Sequence, residues 1–208
     1  MGAPETHFLL ATRSTHKARE IAAILRPLGI ECLSLDDIGL PATDEEEIEQ
    51  FDTFAGNACA KAEHFGRLCD LPALADDSGL VVHALGGRPG VRSRRFSGRL
   101  DLHGDALDRA NNDTLLGVLA GTTTERRDAH YVCVASLWRP ACPPASAVGT
   151  VRGRILESPR GHGGFGYDPL FLVSALGRTF AECDAATKHT MSHRGRAFRA
   201  LTAVRCTA

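Results

Sequence analysis

The fold is decided near the start of the chain, by the stretch His7-Phe-Leu-Leu-Ala-Thr-Arg-Ser-Thr-His-Lys17 and the pattern that follows it. Residues 7–11 are a short apolar run that predicts a buried strand. Residues 17–28 repeat apolar side chains at helical spacing, and Gly29 predicts the end of that helix. Residues 30–35 predict a second strand. A strand, a helix and a further strand in this order indicate an α/β fold.

The rest of the sequence continues the alternation of helices and strands. Further helices are predicted at residues 53–69, 105–119 and 193–205. Further strands are predicted at residues 73–75, 130–138, 147–156 and 170–173. A proline-rich turn separates the second and third of these strands, which favours a hairpin and therefore a mixed sheet. No long linker interrupts the sequence, so residues 1–208 are expected to form a single domain.

The composition is that of a globular protein without a charge bias. Lys plus Arg is 24 against 25 for Asp plus Glu, and the formal net charge is -1. Proteins that bind nucleic acid usually carry a clear basic excess, so we expect no nucleic-acid partner. The seven cysteines form no C-x-x-C pair, which favours free thiols in a reducing compartment. No apolar run is long enough to cross a bilayer, so we expect no membrane contact and a cytoplasmic location.

The turn between the first strand and the first helix, residues 12–17, could bind an anion. It contains hydroxyls, and its backbone N–H groups and the cation of Lys17 lie at the start of a helix, where phosphate is favoured. The turn lacks the glycines and the G-K-[ST] ending of a Walker A loop. The alternative interpretation is an ordinary helix N-cap beside a solvated lysine.

Two adjacent carboxylates, Asp76 and Asp77, follow the apolar residues 73–75, at the point where the third strand is expected to end. Adjacent carboxylates repel each other unless a cation or a proton lies between them. Because side chains alternate along a strand, only one of the two can face a given site. One or two carboxylates that act together with substrate phosphates form the usual protein site for Mg²⁺. The alternative is an Asx-turn with both carboxylates in water.

Three other clusters could contribute to a site. The glycine-rich segment 161–169 contains aromatic residues that could stack on a base and Asp168, which could accept from a ring N–H, unless it is simply a flexible loop. Lys188 and residues 192–196 form a basic cluster that could hold phosphate, or donate from Arg194 to a carbonyl of a base, unless it is a solvated face. The acidic run 44–49 could complete a magnesium site, although most such runs are solvated loops.

Taken in order, these segments resemble the inosine triphosphate pyrophosphatase family, from His7 to about Leu201. The most specific matches are Ala75-Asp-Asp-Ser-Gly-Leu80, Gly86-Gly-Arg-Pro-Gly90 with Ser93 and Arg95, Gly163-Gly-Phe-Gly-Tyr-Asp-Pro169, and Ser192-His-Arg194. One such match could be coincidence, but four in this order could not. The resemblance implies a mixed, elongated central sheet flanked by helices, two lobes with the active-site cleft between them, and a homodimer.

The resemblance also implies an activity and a set of residues for it. The implied activity is Mg²⁺-dependent hydrolysis of ITP, dITP and XTP to the monophosphate and pyrophosphate, which removes deaminated purines from the nucleotide pool. Asp77 is the implied catalytic acid/base, and Asp77 and Glu49 are the implied metal ligands. The implied substrate-binding residues are Thr12, Arg13, Ser14, Thr15, His16, Lys17, Ser78, Phe165, Gly166, Tyr167, Asp168, Lys188, His193 and Arg194.

Within that set, the resemblance assigns each group of residues to one part of the nucleotide. Residues 12–17 bind the triphosphate, and residues 165–168 hold the base and the sugar. Lys188, His193 and Arg194 close over the phosphates and the purine 6-oxo edge. Hypoxanthine and xanthine offer an acceptor at C6 where adenine offers a donor, so a donor such as Arg194 would select against ATP.

The sequence departs from the family pattern at three places. Ser14 stands where the family has Asn, which removes a carboxamide from the phosphate loop. Near the acidic run, Phe51 stands where the family has Gly, and Gly56 where it commonly has Glu, so Glu46 and Glu47 are alternatives to Glu49 as the metal ligand. Arg92 and Arg94 make the segment before Arg95 more basic than usual.

The expected mechanism is in-line attack by water on the α-phosphorus, with Mg²⁺ held by Asp77 and an acidic partner. Lys17 and Lys188 are expected to supply fixed positive charge for the transition state. Two other hypotheses remain: a pyrophosphatase for pyrimidine or modified nucleotides, and a non-catalytic nucleotide-binding protein on the same fold. Hydrolysis across a panel of nucleotides separates the three.

Overall fold

Seven strands form one sheet in the computed structural model, which describes residues 7–41 and 47–203. Their order across the sheet is β2-β1-β3-β4-β5-β6-β7. In chain order the strands are β1 (His7–Leu10), β2 (Glu31–Ser34), β3 (Ala73–Val82), β4 (Asp128–Trp138), β5 (Ala145–Ile155), β6 (Phe171–Val173) and β7 (Arg178–Thr179).

The sheet is mixed, as predicted. β1 pairs in parallel with β2, where Phe8 lies opposite Cys32, and in parallel with β3, where Leu10 lies opposite Leu74. β6 pairs antiparallel with both β5 and β7. The first strand, helix and strand of the chain therefore form the parallel arrangement that their alternation favours.

Five α-helices accompany the sheet in the described part of the chain: α1 (Thr15–Leu25), α2 (Phe54–Cys69), α3 (Gly104–Val118), α4 (Ala185–Met191) and α5 (His193–Ala203). Two of these follow clear end signals. Thr53 caps α2 by accepting from Gly56 N at 3.1 Å. α1 continues as a short 3₁₀ turn that Gly29 closes in the left-handed region, at φ 74°. The sequence predicted α1, α2, α3 and α5 but neither α4 nor β7.

The chain forms two compact units, each built from separate segments. The first contains the described residues within 1–77, 133–149 and 193–208, and the second contains residues 78–132 and 150–192. In the first unit, apolar residues of α1 and α5 such as Ile21 and Phe198 share a core with β1 and β4. In the second unit, Leu115 of α3 packs with residues of β4, β5 and β6, including Phe171. The single domain expected for residues 1–208 stays a prediction.

None of the described helices is long and apolar enough to span a membrane. The six described cysteines are free thiols, and Cys206 lies outside the described residues.

Candidate active site

The acidic pair lies inside a strand, and the expectation that the strand ends before it is wrong. β3 runs without interruption from Ala73 through Asp76 and Asp77 to Val82. The strand continues because it lies between β1 and β4 in the sheet and the apolar residues after the pair are buried, which outweighs the local turn signal. The alternative of a solvated Asx-turn is thereby excluded, since both aspartates are buried.

Asp76 forms a buried ion pair with Arg194. Its Oδ2 accepts from Arg194 Nε at 3.2 Å and from Arg194 Nη2 at 3.1 Å, while Lys17 Nζ lies 3.5 Å from its Oδ1. Arg194 Nη1 also donates to Glu20 Oε2 at 2.6 Å. Burial opposes the charge of Arg194, but Asp76 and Glu20 outweigh it and raise the pKa of the guanidinium. Asp76 thus serves as an anchor for two cations.

Asp77 has a different set of neighbours, as expected for consecutive residues of a strand. Its Oδ2 accepts from Asn57 Nδ2 at 3.0 Å, and Asn57 Oδ1 accepts from Phe51 N at 2.9 Å. Burial is the largest influence on this carboxyl and raises its pKa, while the charges of Lys17 and Lys61 act in the opposite direction. The amide of Asn57 therefore sets the orientation of a carboxylate that is easier to protonate than usual.

Lys61 connects the acidic run to β3. Its Nζ lies 2.6 Å from Glu49 Oε1 and donates to the carbonyl of Asp76 at 2.7 Å. Burial acts to lower the pKa of Lys61, but the charges of Glu49, Asp76 and Asp77 together raise it. Lys61 is therefore a fixed cation, and it holds Glu49 at the site. Glu49 is favoured over Glu47, which is exposed, and Glu46 lies outside the described residues.

Three contributors to this group were not predicted from the sequence: Glu20, Asn57 and Lys61. A signal for two of them is present. Asn57 and Lys61 are buried on α2 at the helical spacing shared by Ala58, Ala62 and Phe65. An amide and an ammonium group within an apolar stripe need buried partners, which marks them as candidates. Glu20 gives no such signal, because a glutamate on an amphipathic helix is most often solvated.

The turn before α1 is a helix cap, and it also places a cation next to Asp76. Ser14 Oγ accepts from Lys17 N at 3.4 Å, and Ser14 N donates to Thr12 Oγ1 at 3.2 Å. Arg13 lies against the loop that follows β2, with Nη1 3.2 Å from Asp36 Oδ1 and Nη2 donating to the carbonyl of Pro41. Two further predicted members lie at the first turn of α1: Thr15, which is exposed, and His16, which is half-buried.

In the second unit, Lys188 and Asp168 form a buried ion pair beside the glycine-rich loop. Lys188 Nζ lies 2.5 Å from Asp168 Oδ2 and 4.5 Å from the ring centre of Phe165. Asp168 Oδ2 also accepts from Phe165 N at 2.9 Å, and Asp168 Oδ1 accepts from Tyr131 at 3.5 Å. Asp168, Phe165 and Lys188 therefore contact one another, and these contacts fix the conformation of the loop.

The remaining predicted residues have less distinctive surroundings. Tyr167 is buried in the core of the second unit, and its hydroxyl donates to Ser93 O at 2.8 Å. Burial raises the pKa of that phenol. Ser78 is half-buried, and His193 is buried as the first residue of α5. Some of the predicted residues therefore form two groups. Lys17, Glu49 and Arg194 lie near Asp76 or Asp77 in the first unit, and Phe165 and Lys188 contact Asp168 in the second.

The chain is similar to known proteins over nearly its whole length. The model of the Ham1 family matches residues 8–204 of the chain. The dITP/XTP pyrophosphatase of Geobacter sulfurreducens is 48% identical over 196 residues, which are 94% of each chain. The structure of a HAM1 protein from Coxiella burnetii matches with a TM-score of 0.79 at 36% identity, and covers 95% of this chain and 96% of that one. A nucleoside-triphosphatase / dITP/XTP pyrophosphatase from Mycobacterium abscessus matches with a TM-score of 0.71 at 38% identity, over 95% and 97% of the two chains.

Proposed function

The chain belongs to the Ham1 family, and we propose that it hydrolyses non-canonical purine nucleoside triphosphates, dITP and XTP among them, to the nucleoside monophosphate and pyrophosphate. The observation that carries this proposal is the environment of Asp77, a buried carboxylate under the influence of Lys17 and Lys61. A triphosphate needs fixed positive charge, and its hydrolysis needs a group that accepts a proton from water. This group of residues supplies both.

Asp77 is the proton acceptor in this proposal. Its raised pKa makes it a better base for water than an exposed aspartate, and the hydrogen bond from Asn57 fixes its orientation. As the water oxygen bonds to the α-phosphorus, its proton moves to Asp77. The bond between the α-phosphorus and the bridging oxygen breaks, and pyrophosphate leaves with the electron pair.

The carboxylates of Asp77 and Glu49 are the proposed ligands of a Mg²⁺ ion. The charge of Glu49 contributes to the raised pKa of Asp77, so the two carboxylates are close enough to repel each other, and a divalent cation would relieve that repulsion. Within residues 7–41 and 47–203 no three His, Cys, Asp or Glu side chains form a metal-binding group. Two carboxylates completed by substrate phosphates are consistent with this, since Mg²⁺ is often held in that way. When bound, Mg²⁺ would offset phosphate charge and lower the pKa of a coordinated water.

The lysines of the first unit are the proposed phosphate cations. Lys17 is held by Asp76 and Lys61 by Glu49, so both charges are in place before substrate binds. Charges that are fixed in advance need no reorganisation in the transition state. The expectation that Lys188 serves the phosphates stays a prediction, and in the structure Lys188 contacts Asp168 and Phe165 of the base-binding loop. We therefore propose that Lys188 supports the base-binding loop.

Recognition of the base is assigned to residues 165–168 in the second unit. Asp168 is a fixed acceptor for a ring N–H, because Lys188, Phe165 N and Tyr131 hold its two oxygens. The contact of Arg194 with the purine 6-oxo group stays a prediction, since its donors already have Asp76 and Glu20 as partners. It is tested by the ratio of kcat/KM for ITP over ATP in Arg194→Ala. An unchanged ratio would remove Arg194 from base recognition.

The proposed function is tested by assaying the purified protein with ITP, dITP, XTP, GTP, ATP and UTP. We expect IMP and pyrophosphate from ITP, rather than IDP and phosphate, and loss of turnover when EDTA replaces Mg²⁺. Asp77→Asn is the matched inactive variant. Preferential hydrolysis of a pyrimidine nucleotide, or binding without turnover, would contradict the proposal. The homodimer implied by the resemblance is a further proposal, which light scattering in solution tests.

A further inference from the structure

Both backbone polar groups of Gly166 are held by side chains of a single helix. Gly166 N donates to Asp108 Oδ2 at 2.6 Å, and Gly166 O accepts from Asn112 Nδ2 at 3.0 Å. Asp108 and Asn112 are related as i and i+4 in α3, so they are neighbours on one face of that helix. All three residues belong to the second unit. The helix therefore binds the two peptide units that flank Gly166, residues 165–166 through the N–H and residues 166–167 through the C=O.

The backbone of Gly166 needs such partners. Its φ of 64° lies in the left-handed region, which glycine adopts without strain, and the residue belongs to no helix or strand. A Cβ at this position would meet nothing within 4 Å, so the conformation, rather than a lack of space, accounts for the glycine. An N–H and a C=O outside regular structure pair with other backbone groups, with side chains or with water. Here both pair with α3.

If the position of Asn112 served packing alone, an apolar side chain would be expected there. Because Gly166 O is an acceptor, the Asn112 atom that faces it must be the donor Nδ2. Asn112 Oδ1 is then buried without a hydrogen-bond partner among the described residues. An unpaired buried oxygen lowers stability, and an apolar side chain would avoid that cost. The amide is thus explained by its donor, which acts on the loop.

We propose that Asp108 and Asn112 are positioning residues for recognition of the purine base, acting through the Gly166 peptide. This inference rests on the proposed function, in which Phe165 and Asp168 contact the base. Gly166 directly follows Phe165, whose N–H donates to Asp168. Rotation of the peptides at Gly166 would turn the ring of Phe165 and move Asp168 together. By fixing these two peptide units, α3 determines the positions from which Phe165 and Asp168 contact the base.

The test compares two probes that differ in the base. IMP carries hypoxanthine, and pyrophosphate carries none. In Asn112→Ala we expect the Kd for IMP and the KM for ITP to rise about tenfold, the factor expected when a lost hydrogen bond leaves a carbonyl unpaired. The Kd for pyrophosphate and the kcat for ITP should change less than about threefold, because the residues around Asp77 are untouched. Calorimetry measures both binding constants.

Three further variants separate positioning from general damage. Asp108→Ala removes the acceptor of Gly166 N and should raise the Kd for IMP, and the conservative variant Asp108→Asn, which keeps an oxygen that can accept from Gly166 N, should restore most of that affinity. Asp113→Asn makes the same change on an exposed position of α3 and should be neutral. Asn112→Ala with unchanged affinity for IMP overturns the proposal. So does an equal loss for IMP and pyrophosphate with a lower melting temperature, which would indicate a structural role. A wild-type protein that hydrolyses no purine triphosphate and binds no IMP overturns the proposed function itself.

Discussion

Arg194 and Asp76 form a two-point buried ion pair, in which Nε and Nη2 of the guanidinium lie 3.2 Å and 3.1 Å from one carboxylate oxygen. The two residues are 118 positions apart in the chain, on α5 and β3 of the first unit. Both are almost fully excluded from solvent. A buried pair of this kind gives little net stability, but removal of one partner leaves an uncompensated charge. The pair therefore makes the position of α5 and the acidic strand interdependent.

The first prediction concerns that pair. Arg194→Met should lower the free energy of unfolding by about 3–5 kcal/mol, because it removes the guanidinium that pairs with the buried carboxylate of Asp76. Asp76→Asn in the Arg194→Met background should restore a part of that loss by removing the unpaired charge. Urea unfolding of the two single variants and the double variant measures the coupling. Strictly additive losses would show that the pair does not stabilise the fold as a unit.

The sequence predicts well those helices and strands whose conformation is determined by residues close to them in the chain. The apolar repeats of α1 and α2 lie where they were predicted. β3 was predicted too short, because Asp-Asp-Ser-Gly is a turn signal locally, whereas its conformation is determined by pairing with neighbouring strands. β7 has two residues and α4 has seven, too few for a periodic signal.

The candidate site was predicted in part, for a related reason. The motifs indicated which residues carry chemistry, and Asp77 and Lys17 do lie together in the first unit. The partners of those residues depend on contacts between distant segments. On sequence grounds Arg194 could have faced phosphate, a base or solvent, and its pairing with Glu20 and Asp76 is a property of the folded chain.

The second prediction concerns Phe51 and Gly56, two residues that depart from the family pattern. A Cβ added to Gly56 would lie 2.7 Å from both Cβ and Cγ of Phe51, so the two residues compensate each other. Gly56→Ala should therefore destabilise the protein by about 1–3 kcal/mol through overpacking. In a Phe51→Gly background the same change should stabilise it by about 0.5–1 kcal/mol, since alanine is the better helix former. Thermal unfolding of the four proteins tests the change of sign, and the same sign in both backgrounds would contradict the prediction.

The third prediction separates stability from activity. Arg127 is a buried arginine in the second unit that donates to the carbonyls of Leu119, Thr122 and Leu156, at 2.9, 3.0 and 3.3 Å. Arg127→Met should lower the free energy of unfolding by about 2–4 kcal/mol, because one buried and two partly buried carbonyls lose a donor. Among the described residues, none of its side-chain hydrogen bonds reaches either group of candidate site residues, so kcat and KM per folded molecule should stay within about twofold. A selective rise in KM for ITP would mean that this part of the chain affects base recognition.

The last prediction is that Asp77→Asn abolishes turnover without weakening the fold. Loss of the proton acceptor should reduce kcat at least 100-fold, in line with roughly 10²-fold or more for a general base.

Burial raises the pKa of the Asp77 carboxyl above its ordinary value of 3.8. An acid with a raised pKa in the folded state binds protons more tightly there than in the unfolded chain, so its contribution to stability falls as pH rises from 3.8 through the folded pKa. Asparagine does not titrate in this range, so it makes no such pH-dependent contribution to stability. At neutral pH the variant should therefore be at least as stable as wild type, and its advantage should shrink as the pH falls through that window towards 3.8. Denaturant unfolding of both proteins at a series of pH values measures the difference. A variant that is both inactive and clearly less stable at neutral pH would show that the Asp77 carboxylate is needed for folding, and the loss of turnover could then not be assigned to catalysis.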